Sequence, residues 1–410
     1  MNEPLSRRLD RAESFFWMLD RCSSMNFAVM AEGHGAIDFA ALEAAVARAQ
    51  RIHPALAVAI DAIDGRLTFV PQRARLPFFR EAGDVAWRTA LLTRVVKPFD
   101  LGEAPLVRAH WLDLPDGHWV FALAFHHAIA DGRSGRRLIT EIIDDARGGR
   151  EQRWGGGSRP SLMSLLPESL GKREWKEPPI AADVPGFSRA TGPPRPHVLA
   201  THLDVRALRA RARAEGSSVH GAIGAAELIA IRERFAVGTS PTLSLTSAID
   251  LRKHLTAPMD DATPGLYVTL LSSSSAVSGD FWLLARLITT DLRRQLARGS
   301  GHIFYGQVPA EGMVPPTPAG IDGFRAHIDR LPQACVLSNV GQVPALADAN
   351  GVCVDNVSFT LCPMPHQPLF VAASTWGDRL TLNVVHDANR FPSELVQRID
   401  GRIRELLVSS

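Results

Sequence analysis

The segment FALAFHHAIADGRSG, residues 121–135, carries an apolar run into two histidines, then an aspartate and a glycine. The run reads as a buried strand that ends at His126 and His127. A buried imidazole is costly unless something uses it or satisfies it. Neutral imidazole, with an ordinary pKa of about 6.5, can take a proton from a hydroxyl or amine at working pH. The pair is therefore a candidate for general-base chemistry at a strand end that faces a cavity. Successive strand side chains point to opposite faces. Only one histidine can face a substrate, and the other must be structural.

Other chemistries fit these residues less well. No HExxH pattern and no clustered cysteines accompany the pair, so no metal centre is expected. Ser134 sits in GRSGR, which lacks the second glycine of a G-x-S-x-G elbow. RWGGGSR is not followed by Lys-Ser or Lys-Thr, so it reads as linker rather than phosphate loop. Asp131 lies too close in sequence to His127 to orient it easily. It is expected to turn back and hold the loop, provided a cation reaches it. Gly132 permits a tight turn or close substrate approach. His386, in NVVHDANRFP, is read as a structural strand-end histidine.

The elements around the motif follow from spacing. AIDFAALEAAVARAQRIHP reads as a helix with Asp38 as N-cap, an apolar stripe through Leu42, Val46 and Ala49, and Pro54 beyond its end. RLTFVPQ and HWVFALAFHH read as strands, the second apolar enough to be central. Leu138, Ile139, Ile142 and Ile143 form a helical face after the motif. Glycine and proline then crowd the chain, and a linker is expected at 151–196 between lobes at 1–150 and 197–410. The second half gives helices near 205–214 and 217–234, a strand at PTLSLTSAIDL and an amphipathic helix in SGDFWLLARLITTDLRRQLARG. Four strand-like runs and a final helix near Pro392 follow. The proline- and glycine-rich VPAEGMVPPTPAG, residues 308–320, is a lid candidate. Each half mixes helices with strands, so the expected class is α/β (α+β) in two lobes.

Bulk properties bound the function. The chain has 410 residues, 46% hydrophobic and 21% charged, with a formal net charge of +2. That balance gives no reason to expect nucleic acid as a partner. Cys22, Cys335, Cys353 and Cys362 form no CxxC pair, which suits a reducing compartment. The charged start, MNEPLSRRLDRAESFF, is unlike a signal peptide. The longest apolar stretch, GAIGAAELIAI, is too short to span a bilayer and carries Glu227 in its middle. A cytoplasmic protein without a transmembrane segment is expected.

His-His-x-x-x-Asp-Gly at residues 126–132 resembles the signature of the condensation-domain superfamily of acyltransferases. That superfamily includes chloramphenicol acetyltransferase-like enzymes, peptide condensation domains, wax ester synthases, plant BAHD enzymes and polyketide-associated acyltransferases. LDRAESFFWMLD, KPFDLGEAPLVRAHWL, SSVHGAIGAAELIAI, SAIDLRKHL and LSNVG are similar to further family segments in the same order. AIDLRKHL and LSNVG look closest to stand-alone, polyketide-associated alcohol acyltransferases.

The resemblance implies two chloramphenicol acetyltransferase-like lobes, each a mixed sheet with helices, and an active-site tunnel between them. It makes His127 the base, His126 a structural histidine, and Asp131 the loop holder paired with Arg252. Gly132 would lie beside the donor tunnel. Ser338 and Asn339 become candidate tunnel or oxyanion residues, and Arg133, Arg136 and Arg137 candidate contacts for a donor phosphate. The implied reaction moves an acyl group from coenzyme A or a phosphopantetheine arm to a small alcohol, with no permanently bound cofactor. An acyl carrier protein is a candidate partner. An amide-forming condensation enzyme and a silent carrier-recruiting module are the rival readings. Two departures stand out. Arg133 replaces a large aromatic residue often found there, and VDNVSFT stands where plant members have Asp-Phe-Gly-Trp-Gly.

Overall fold

The apolar run ahead of the histidine pair becomes the middle of a five-stranded sheet in a computed structural model of the chain. Residues 4–149, 160–166, 192–235, 242–255, 259, 264–277, 279–306, 315–329, 334–343, 345–361, 364–365 and 367–409 are described. Most of the expected linker, the first part of the lid candidate and Cys362 lie outside them. Cys22, Cys335 and Cys353 are free thiols.

The first half forms β1 (Arg7–Arg8), α1 (Arg11–Cys22), β2 (Asn26–His34), α2 (Phe39–Ile52), β3 (Val58–Ile63), β4 (Arg66–Pro71) and β5 (Phe78–Ala82). It continues with α3 (Trp87–Val95), β6 (Val107–Asp113), β7 (His118–His126) and α4 (Gly132–Ala146). The second half forms β8 (Pro196–Asp204), α5 (Val205–Ala214), α6 (Val219–Phe235), β9 (Thr242–Asp250), β10 (Val268–Ala276), α7 (Phe281–Ala297) and α8 (Ser300–Gly306). After these come α9 (Pro318–Ile328), β11 (Cys335–Val343), β12 (Cys353–Leu361), β13 (Leu369–Trp376), β14 (Arg379–Asp387) and α10 (Ser393–Ser409).

A six-stranded mixed sheet, ordered β10-β9-β11-β13-β14-β8, centres the second lobe. The first lobe holds the sheet β12-β2-β7-β6-β5 and a small sheet β1-β4-β3. β7 is central because Val120 to Phe125 are wholly buried, so both faces of the strand need apolar cover. The Asp38 cap and the Leu138, Ile139, Ile142 and Ile143 face form as the spacing predicts.

Two features go beyond the sequence reading. LDRAESFFWMLD, likened above to a family segment, leads into and forms most of the helix α1. A capping box starts it: Asp10 accepts from the Glu13 N–H and Glu13 accepts from the Asp10 N–H. And β12, from the second half, pairs antiparallel with β2 of the first. β12 also reaches back: Phe359 O accepts from Asn383 Nδ2 and Val354 O accepts from Trp376 Nε1. The second half of the chain thus supplies an edge strand to the sheet of the first.

Glu227 sits wholly buried in α6, with neither carboxylate oxygen hydrogen-bonded to a side chain. Burial pushes its pKa well above the usual 4.5, while the Val336 N–H pulls the other way. A pKa raised by folding gives stability at low pH that is lost as pH rises. Glu227→Gln is therefore expected to gain thermal stability over the wild type progressively as pH climbs from about 5 to 9. Melting curves across that range check it; a constant difference would contradict the buried-acid account.

Candidate active site

One face of α1 meets both histidines. Phe16 stacks on the His127 ring with centroids 4.3 Å apart and planes 25° from parallel. One turn later, Asp20 Oδ2 lies 3.6 Å from His126 Nε2. An i, i+4 pair shares a helix face, so a single helix can address the two imidazoles at once. Phe27 of β2 also packs on His127, with ring centroids 4.8 Å apart and planes tilted by 49°.

His126 is the last residue of β7 and His127 the first of the turn after it, and the two imidazoles meet different surroundings. His126 is wholly buried; its Nδ1 accepts from the Ala128 N–H, which leaves the proton on Nε2, towards Asp20. Burial raises the pKa of Asp20, but His126 and the Met25 N–H outweigh burial, and the carboxylate stays below its ordinary value. His127 is half-buried: Nδ1 is sealed from solvent and Nε2 is the ring nitrogen left accessible. Burial pushes its pKa down to about 4, against the backbone carbonyls of His127 and Ala130 and the Asp131 carboxylate. At neutral pH it is an unprotonated imidazole against two phenyl rings.

Asp131 is the N-cap of α4. Its Oδ1 accepts from the Ser134 N–H at 2.9 Å, and its Oδ2 accepts from the Tyr267 N–H at 2.9 Å. The expected cation is present. Arg252 Nη1 lies 2.9 Å from Oδ2, and Nη2 donates to Oδ1 at 3.1 Å and to Ser134 Oγ at 2.8 Å. Arg252 also donates to Asp250 and lies over the Tyr267 ring, 4.8 Å from its centroid. Burial alone would raise the Asp131 pKa; the guanidinium more than reverses this.

Gly132 opens α4 against the second lobe. A Cβ there would come within 2.9 Å of Val340 Cγ1, so a side chain would have to displace Val340. Val340 follows Ser338 and Asn339 on β11, which puts that segment against the start of α4. Asn339 Oδ1 accepts from the Gly341 N–H at a β-bulge, so the segment is a strand with a bulge.

The three arginines of α4, candidate phosphate contacts by resemblance, all have partners within the protein. Arg136 is buried and donates to the backbone carbonyls of Val340 and Gln342, which satisfies it across the lobe boundary and removes it from any phosphate. Arg133 is paired with Asp250 and Arg137 with Glu141. Beside the motif loop lies a small cavity of about 20 Å³. Ala128, Ile129, Phe69, Leu266, Arg7 and Glu13 are among its walls. Burial pushes Glu13 up to about 7 despite its bidentate bonds to Arg7.

Sequence reasoning missed Phe16 and Asp20. The signal was available: Asp10-x-x-Glu13 ahead of an apolar run marks a helix start, and the helix spacing then joins positions 16 and 20. It also missed His34, His118 and Asp355, which lie on three different strands. His386 is buried in β14, as its strand-end reading requires.

Two family models match parts of the chain, and its fold is that of solved acyltransferases and condensation domains. Residues 14–147 match the condensation-domain family and residues 192–386 match the phthiocerol/phthiodiolone dimycocerosyl transferase C-terminus. The fold is similar to polyketide synthase associated protein 5 from Mycobacterium tuberculosis, with TM-score 0.68, 17% identity and 99% of each chain covered. It is also similar to trichothecene 15-O-acetyltransferase from Fusarium sporotrichioides, with TM-score 0.72, 13% identity, and 98% and 94% covered. Among curated proteins, tyrocidine synthase 3 from Brevibacillus parabrevis is 32% identical over 111 residues, 27% of this chain. The chain spans only 2% of that protein's length and 6% of bacitracin synthase 2 from Bacillus licheniformis. Among the described residues no helix is long and apolar enough to cross a membrane.

Removing one partner of a buried ion pair leaves the other uncompensated, at a cost of about 3–5 kcal/mol. Asp131→Ala and Arg252→Ala are each expected to destabilise on that scale, and the double variant to cost clearly less than their sum. Denaturant unfolding of the four proteins measures the coupling; additivity would mean that the pair does not act as one.

Proposed function

We propose that the chain moves an acyl group from a thioester to the hydroxyl of a small molecule, forming an ester, with His127 as general base. The observation that carries this reading is the state of His127, neutral at pH 7 with Nδ1 sealed and Nε2 open, in an acyltransferase fold. Nε2 takes the hydroxyl proton as the oxygen attacks the thioester carbonyl. Donors from the Ser338–Asn339 segment meet the tetrahedral oxyanion. Collapse breaks the C–S bond, and the thiolate leaves with the proton that His127 returns. No acyl-enzyme is needed.

The donor rides on coenzyme A or on the phosphopantetheine arm of a carrier protein. A solved starter condensation domain of rhizomide synthetase, similar in fold with TM-score 0.66 and 14% identity, is in complex with an acyl-coenzyme A. The cavity beside Ala128 and Ile129 is the candidate entrance to a tunnel between lobes 1–150 and 197–410. The match to the phthiocerol/phthiodiolone dimycocerosyl transferase C-terminus favours an alcohol acceptor and work in secondary-metabolite or lipid synthesis. The expected compartment is the cytoplasm. The peptide synthetase relatives favour a second reading, amide formation between carrier-bound intermediates. Alcohol and amine acceptors assayed side by side separate the two, and carrier binding without turnover of either would favour a recruiting module.

His127→Ala is expected to lose about 100-fold or more of acyl transfer while staying folded. Intact-mass detection with acyl-coenzyme A and acyl-carrier donors reads the loss, and an active variant would sink the mechanism. A base works unprotonated, so its lowered pKa keeps activity below pH 6.5 and loses it as pH falls towards about 4.

Phe16 is a positioning residue, acting through the ring it covers. Phe16→Leu admits water to the imidazole and is expected to move the acid limb of kcat/KM upward, towards about 6.5. A variant that lowers kcat/KM without moving that limb would reduce Phe16 to packing.

A further inference from the structure

The strand that ends at His126 begins at another histidine. His118 opens β7 and lies directly across from His34, the last residue of β2. β12 borders β2 on its other side, and a bulge between Val354 and Asn356 sets Asp355 beside His34. His34 Nδ1 is 3.0 Å from Asp355 Oδ2, and the His34 and His118 ring centroids are 5.6 Å apart. One ligand atom from each of the three residues lies within 4.8 Å of the other two. From this juxtaposition we infer a binding site for a divalent transition-metal ion, zinc or a chemical neighbour, formed by His34, His118 and Asp355.

The donor chemistry selects the ion. Two imidazoles and a carboxylate suit zinc, nickel or copper, whereas calcium and magnesium take oxygen ligands. Ligands about 2.0–2.1 Å from a tetrahedral zinc stand about 3.4 Å apart. Small side-chain rotations close the observed spacing to that value, because the rings are at the protein surface. Water fills the remaining position.

The backbone beneath is held in place. A Cβ at Gly35 would stand 2.0 Å from the Gly351 carbonyl, so the end of β2 and the turn before β12 are in close contact. Gly35 O also accepts from Trp119 Nε1 at 3.1 Å. The geometry is therefore largely preorganised, which favours binding. The ion would join β7, β2 and β12, clasping the strand that the second half lends to the first.

The alternative is a surface His–Asp ion pair with no ligand. Calorimetric titration of the untagged full chain with zinc chloride separates the two, because an ion pair binds nothing. The site predicts one zinc per chain, and a rise in melting temperature with zinc by mass action. His118→Ala and Asp355→Asn, both at accessible positions, are expected to weaken binding by about tenfold or more and to abolish the melting shift. No saturable binding to the wild type would overturn the site. So would binding that both variants retain, since it would place the zinc on other histidines.

Discussion

The Asp131–Arg252 ion pair is the constraint on which the site depends. Asp131 ends the loop that follows His127, and it caps the helix that packs behind the central strand. Arg252 follows the last residue of β9 by two positions, in the other lobe. The pair therefore fixes a loop, a helix end and a lobe boundary at once. Two buried charges are tolerable only when geometry and extra hydrogen bonds replace their lost water. Here Ser134, Tyr267 and Asp250 supply those bonds. The Asp131 carboxylate is engaged by Arg252 and by the Ser134 and Tyr267 N–H groups, which ties the loop to both lobes.

With the loop held, the two imidazoles are set apart by their surroundings. His126 receives a backbone N–H on one nitrogen and faces a carboxylate with the other. His127 receives two phenyl rings. Identical side chains in adjacent positions are thus given different chemistry by one helix and one strand. Desolvation by the rings makes His127 a weaker base and keeps it unprotonated through the physiological range. That state suits removal of a proton from an acceptor and its return to a leaving thiolate.

The lobes are joined by more than this pair. Arg136 donates to two carbonyls of the facing strand, and the missing side chain of Gly132 lets that strand approach. β12 crosses in the opposite sense and completes the first sheet. Arg136 also shows how a sequence can mislead: an arginine near a helix start looks like an anion contact until the facing backbone is known.

The sequence by itself determined the central strand, the helix after it and the chemistry-bearing loop. Apolar periodicity and capping residues act over a few positions, and those are local facts. It also determined the pairing of Asp131 with Arg252, through a motif whose two parts lie far apart in the chain. Tertiary structure alone decided what no local pattern encodes: which strand crosses between lobes, which arginines find internal partners, and which aromatic rings enclose His127. Phe16 and Asp20 stand between the two cases, because their helix was legible and its target was not. Helix spacing determines which residues share a face, but packing against a distant strand determines what that face touches.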